Sequence, residues 1–457
     1  MNSDPRETIS QSSMGILQML IIAVMVGLNG LDGFDILSIS FAAPEIAKEW
    51  GISQTALGIV LSMELIGMGL GSFFLGTMAD KVGRRPTAMF CLLAMALGMF
   101  MVTATSSIIA LSVWRIVTGV GIGGLLTAIT SLTAEYSNSR RQHLCISIMA
   151  IGYPIGGVIG SAVSSMLLAS YDWRSIFYLG TTVTLLFIPV FYFIVPESVH
   201  WLIRKQPSGA LKRINRTLKK LKHKAIDALP EISPDTRKKS VSDIFSPALL
   251  PATLIISITY FLHITSYYFI LKWVPKIVAD MDFASSSAAG VLGWGNVGGA
   301  LGGITFGFLT LKINLKRLTV ATLFFAAVFI ALFGRSPEDL NMLSLFCAMA
   351  GFFGNAGIIG LYAIFAYVFP THARAFGAGF VIGVGRGGSI LSPFLAGILL
   401  DTGMKLQNIT AVMCLGALIG GIVLAFLKLR PEEPSEGSKS KSDEKNIAVE
   451  PSLAEEV

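Results

Sequence analysis

Twelve apolar runs of membrane-crossing length follow one another along this chain of 457 residues. They lie near 17–41, 55–79, 87–106, 108–133, 144–169, 175–195, 249–271, 287–311, 318–334, 341–369, 375–400 and 408–428. About 20 apolar residues in a helix span the hydrocarbon core of a bilayer. The expected fold class is therefore an all-α membrane protein with twelve transmembrane helices. Composition agrees: 53% of residues are hydrophobic and only 14% are charged, against about 25% charged in an ordinary soluble domain. The first run is too long for the core of a cleaved signal peptide and reads as a first span.

Lysine and arginine in the connecting segments set the expected orientation. Lys81, Arg84 and Arg85 follow the second span, Arg140 and Arg141 the fourth, and Lys312, Lys316 and Arg317 the eighth. The segment after the sixth span carries twelve more, from Arg204 to Lys239. The alternate loops are poor, with Lys48, Arg174, Lys272, Lys276, Arg335 and Lys405 as their main contributions. Both termini and the 196–247 segment are thus expected in the cytoplasm, with the protein in the inner, plasma membrane. The division is a tail at 1–16, a six-helix half at 17–195, a basic linker at 196–247, a second half at 248–428 and a disordered tail at 429–457. Within the linker, 211–221 reads as a basic amphipathic helix or a solvated connector.

The net charge of +7 does not point to nucleic acid, because the positive residues sit in short segments between spans. Cys91, Cys145, Cys347 and Cys414 lie in apolar segments and form no CxxC pair. They read as small core residues, with no disulfide, metal or cofactor implied. No nucleophile–base pair, HExxH or Walker loop is present, so an enzyme is not expected. A monomer in the lipid bilayer is.

Charge inside the spans marks candidate function, because a charge at membrane depth costs at least a few kcal/mol and persists only with a partner or a protected cavity. Asp32 and Asp35 lie in the first span at i, i+3 spacing, on one helix face. They are the candidates for proton coupling. Arg115 and Arg386 lie in spans four and eleven, one in each half. A guanidinium binds a carboxylate through two hydrogen bonds, so both are candidates for an anionic substrate. Alternatively, Arg115 pairs with Asp32, Asp35 or Glu135. Tyr267, Asn296 and Asn355, with Trp294 and Tyr362, are weaker candidates for lining an aromatic-accepting site. His263 reads as a hydrogen-bonded core residue. Glu64 sits inside span two with no assigned role.

The halves resemble each other at an offset of about 232 residues, the mark of an internal repeat. GTMADKVGRRP (76–86) aligns with GFLTLKINLKR (307–317), Gly119 with Gly351, and Gly152-Tyr153-Pro154 with Gly385-Arg386-Gly387. GTMADKVGRRP resembles the loop signature of the major facilitator superfamily, and PESVHWL (196–202) its usual exit from the first half. LDGFDILSISFAAP (31–44) resembles the span-one signature of the aromatic acid:proton symporter family. WRIVTGVGIGG (114–124), AEY (134–136), GYPIGG (152–157) and GVGRGGSILSP (383–393) support the same resemblance, which covers residues 15–428. It implies import of a benzoate-like carboxylate with protons, by alternating access between two six-helix halves. It also implies a gate at Asp80, Gly83, Arg84 and Arg85, with Glu135 near Arg140 and Arg141, that latches the outward-facing state and breaks when the inside opens. The second copy of this loop departs from the pattern at Leu311, Asn314 and Leu315, so a gate there is weaker or built differently. Other readings are an importer of a non-aromatic acid (a dicarboxylate, muconate or sugar acid), a drug exporter, or a receptor that no longer transports.

Overall fold

The computed structural model describes residues 4–230, 243–370 and 373–427, the side chain of Ala375 excepted. The 429–457 tail and residues 231–242 of the linker, with Arg237, Lys238 and Lys239, lie outside the described residues. Twelve long helices form two bundles. The first comprises α2 (Ile16–Trp50), α3 (Gln54–Val82), α4 (Arg84–Thr103), α5 (Ile108–Tyr136), α6 (Gln142–Ser170) and α7 (Arg174–Ile194). The second comprises α10 (Leu250–Ala279), α11 (Ser285–Leu309), α12 (Leu315–Phe333), α13 (Leu340–Val368), α14 (Arg374–Asp401) and α15 (Leu406–Ala425). Short helices α1 (Pro5–Gln11), α8 (Val199–Lys205) and α9 (Ala210–Lys220) sit at one end. Eleven of the long helices meet the length and hydropathy of a span by themselves. The twelfth, α11, is diluted by eight glycines and Asn296, and it packs between α6 and α13.

The glycines of the spans explain how these helices pack. Without a hydrophobic drive between helices in lipid, association depends on close backbone approach across small residues. A Cβ at Gly119 would overlap the Glu64 carbonyl, and one at Gly123 the Met68 carbonyl, along the α3–α5 seam. The same seam recurs in the second bundle, where Gly298 meets the Ala348 carbonyl and Gly351 that of Gly295. The repeat seen in sequence is thus a repeat of packing.

One end of the molecule carries the basic connections: the turn at Gly83, residues 137–141, the described parts of the 195–249 segment, 310–314, α1 and the end of α15. There α1 docks by Ile9, which is buried, and Ser139 N–H donates to the Ser10 carbonyl at 2.8 Å. Residues 4–16 therefore pack against the bundle rather than forming a plain tail. The amphipathic helix expected at 211–221 forms as α9, with Ile214 and Leu218 buried beneath a row of lysines and arginines.

The halves are joined at the opposite, far end. Asp401 of α14 accepts from the backbone N–H of Gln54 at 2.9 Å and of Thr55 at 2.7 Å, capping α3 across the interface. Ser62 Oγ donates to the Ile390 carbonyl at 2.8 Å, and Ser165 Oγ to that of Ser286 at 2.7 Å. Gly58 packs on the Pro393 carbonyl and Gly397 on that of Gln54. These contacts belong chiefly to three helix pairs, α3 with α14, α6 with α11 and α2 with α10. The cross-half contacts named here all lie toward the far end.

One boundary departs from the sequence reading in a way that matters. The seventh span does not stop at 271. Helix α10 continues to Ala279 around Pro275, and Lys272 and Lys276, read as loop charges, are both buried. Trp273, Val274, Ile277 and Val278 carry the apolar face onward.

Candidate functional site

The α2, α3, α5 and α10 helices converge on a dry group of charges. Asp32 and Asp35 are 2% and 0% exposed. None of their four carboxylate oxygens has a hydrogen-bond partner among the described residues. Asp35 Oδ1 points toward Gly180 of α7, where an added Cβ would stand 3.3 Å away. Their placement on one helix face in the interior follows from i, i+3 spacing and from the cost of showing a carboxylate to lipid.

Arg115 is fully buried beside them but does not pair with either acid or with Glu135. Its guanidinium forms a salt bridge with Glu64, and Nη2 donates to the Asp35 carbonyl oxygen at 3.1 Å. Nη1 lies 3.4 Å from both Ser38 Oγ and Met99 Sδ, and the group sits 5.7 Å from the centroid of Phe177. The physical reason is geometric. Glu64 stands where Gly119 brings α3 against α5, and its longer side chain reaches the guanidinium that the two aspartates do not. Glu64 thereby acquires a role that its sequence context did not supply.

Lys272 completes the group from the other half. Its ammonium donates to the Ile36 carbonyl and lies 3.4 Å from Glu64 Oε2, with both side chains fully buried. Sequence reasoning missed it because a lysine ends an apolar run. The available signal was the apolar continuation beyond it.

The other candidate substrate residues divide. Arg386 lies half-buried on α14, and no hydrogen bond or ion pair engages its guanidinium among the described residues. Gly385 and Gly388 seat its turn of helix against Tyr260 and Phe261 of α10, and the Tyr260 and Tyr362 hydroxyls meet at 3.1 Å. Tyr267 is buried against Gly354 and stacks on His263 at 6.4 Å. His263 Nε2 bonds the Gly354 carbonyl oxygen at 2.8 Å, as a core histidine would. Asn355 donates to the Gly299 carbonyl at 2.7 Å, and Asn296 to that of Leu292 at 3.1 Å. Both amides are occupied by backbone. Trp294 is 56% exposed on the outer surface, away from the cleft. At the offset of the repeat, the second half holds Tyr267, Asn296 and Cys347 where the first holds Asp35, Glu64 and Arg115. The acids are confined to one copy.

At the basic end, Asp80, Gly83, Arg84, Arg85 and Glu135 do come together. Asp80 accepts from Arg204 of α8 at 2.9 Å. Arg84 forms a salt bridge with Glu135, which also accepts from Ser198 Oγ at 2.5 Å. Arg140 and Arg141, the expected partners of Glu135, are not its partners here. Glu197, unnoticed in the sequence, accepts from the backbone N–H of Arg84, Arg85 and Ser198 at 3.0, 3.1 and 2.8 Å. Burial pushes its carboxyl above the ordinary value, against the pull of those donors. Gly83 has φ +120°, and a Cβ there would run into the Glu197 carboxylate, so only glycine fits. Arg84 and Glu135 belong to the first half, Glu197 and Ser198 to the segment that leads into α8, and Arg204 to α8. The cluster is a cap on α4. Glu197→Ala is expected to cost about 1–2 kcal/mol as N-cap losses do, read as earlier thermal unfolding of the purified protein.

Comparison with known proteins fits this architecture. A family model described as the Major Facilitator Superfamily matches residues 25–334 and 256–454. The chain is 26% identical over 432 residues to the 4-hydroxybenzoate transporter PcaK of Acinetobacter baylyi, covering 93% of this chain and 94% of that protein. It is 27% identical over 424 residues to the gallate transporter of Pseudomonas putida, covering 92% and 94%. Among solved structures, the xylose transporter XylE of E. coli in a partially occluded inward-open conformation superposes with a TM-score of 0.72 at 16% identity, covering 92% of this chain and 100% of that one. By sequence and by fold alike, this chain belongs to the Major Facilitator Superfamily and is a multi-pass membrane transporter.

Proposed function

We propose that the protein imports an aromatic carboxylate together with protons by alternating access. The observation that carries this reading is the pair of buried, unpartnered aspartates beside a salt-bridged cluster. A carboxyl group with no fixed countercharge in a dry site holds a proton when isolated and loses it when a cation or water arrives. The basic end faces the cytoplasm of a plasma-membrane protein by the excess of lysine and arginine there, so the far end is the entry. Arg386, whose guanidinium is unengaged, receives the substrate carboxylate, and the tyrosines of α10 flank the ring. Relatives named for 4-hydroxybenzoate and gallate transport support the substrate class. The protein acts as a monomer.

The test is uptake of labelled 4-hydroxybenzoate into proteoliposomes under an inward proton gradient, with aliphatic mono- and dicarboxylates in parallel. Accumulation that a protonophore abolishes is expected for the aromatic acid. Accumulation that survives the protonophore, or that occurs only with an aliphatic acid, overturns the corresponding part. Arg386→Lys replaces a two-point contact by a single point charge. It is expected to weaken half-saturation by about tenfold, which equals about 1.4 kcal/mol. Unchanged affinity removes Arg386 from the site.

A further inference from the structure

We infer that Lys272 is a movable countercharge that exchanges for a proton each time the far end opens and closes. This rests on the alternating-access reading above, but not on the identity of the cargo. Among the described residues, the first half supplies Asp32, Asp35, Glu64 and Arg115 to this group, and the second half supplies Lys272. The ammonium reaches the others only across the closed interface, by the Ile36 carbonyl and Glu64. Three carboxyl groups thus share two cations in a dry site.

Unbalanced charge in such a site is strongly disfavoured. With Lys272 in place, neutrality requires one proton, and the orphaned carboxylates of Asp32 and Asp35 are where it resides. The far end opens only if α10 parts from α2, against which it packs across the interface, and Lys272 from Glu64 of α3. Lys272 then leaves Glu64, and the first half keeps three acids and Arg115. Neutrality now requires two protons. Reclosure returns one positive charge as the ammonium. One proton leaves an aspartic acid O–H for water on the side of the basic end. The exchange is one cation for one proton, in either direction.

The remaining ionisable groups around Lys272 do not supply the missing charge. Tyr153 of α6, Tyr268 of α10 and Cys91 of α4 are neutral near pH 7. Arg386 of α14 lies toward Tyr268, and Cys347 of α13 toward Tyr267. One turn beyond, Lys276 is engaged by Asp280.

The experiment needs no substrate. The four native cysteines are buried, so spin labels are placed at Ser106→Cys and Met404→Cys, on exposed far-end turns of opposite halves. Label-to-label distances give the ratio of far-open to far-closed protein as a function of pH. If the open state binds one more proton, that ratio rises about tenfold for each unit of acidification. Lys272→Arg is expected to keep the slope, and Lys272→Met to flatten it. A wild-type ratio independent of pH, or a slope that persists in Lys272→Met, overturns the inference. Should the methionine variant not fold, the wild-type slope alone decides. Failure to accumulate any aromatic acid would sink the proposed cargo and leave this result standing.

Discussion

In proteoliposomes, Asp35→Asn and Asp32→Asn are expected to lose uphill uptake altogether. Wild-type protein carrying a monoanion with one proton is electroneutral, so its accumulation follows the pH difference alone, about 1.4 kcal/mol or tenfold per unit. A second proton would add the electrical term, about 2.3 kcal/mol per 100 mV. In the asparagine variants the ratio of inside to outside substrate should fall to one at any imposed gradient. Exchange of labelled for unlabelled substrate should persist, because Arg386 and the contacts between the halves are untouched. The two aspartates lie one turn apart on the same helix face and are expected to titrate as a coupled pair, so either single variant is expected to suffice. Accumulation at the wild-type ratio in the double variant would remove both residues from energy coupling.

Arg115→Met should be the most damaging single change to stability. Breaking a buried ion pair by deleting one partner costs about 3–5 kcal/mol, because the other charge is left uncompensated. Here Glu64 would remain with Lys272 alone, beside two further acids. Adding Glu64→Gln removes the stranded charge, and the double variant should recover more than half of the loss. Thermal unfolding of the four proteins of this cycle measures the coupling. Additive losses would mean that the two groups contribute independently, in spite of their contact.

The sequence made some of this legible and hid the rest for physical reasons. Asp32, Asp35, Arg115 and Arg386 stand out because any charge in an apolar run demands a partner or a cavity. The spans and the repeat follow from hydropathy and from glycine spacing. Partner choice is another matter. Whether Arg115 meets Asp35 or Glu64 depends on where Gly119 lets two backbones touch, a fact of three dimensions. Lys272 escaped because a lysine reads as the end of a span, and only the apolar residues after it say otherwise. Glu197 escaped because its partners are backbone N–H groups, which carry no sequence signature. The glycine at 83, by contrast, was visible, although the carboxylate of Glu197 pressed against its positive-φ turn was not.

The clasp that Asp401 makes on the first turn of α3 bears on speed. Its bonds lie at the exposed rim, to backbone donors that water satisfies equally well once they part. Releasing it leaves no orphaned group behind, so the outer mouth can part quickly. The slow step of the cycle then belongs to the buried ionic centre beneath, and substitutions at the rim should shift how often the mouth gapes without changing how much work each turnover performs.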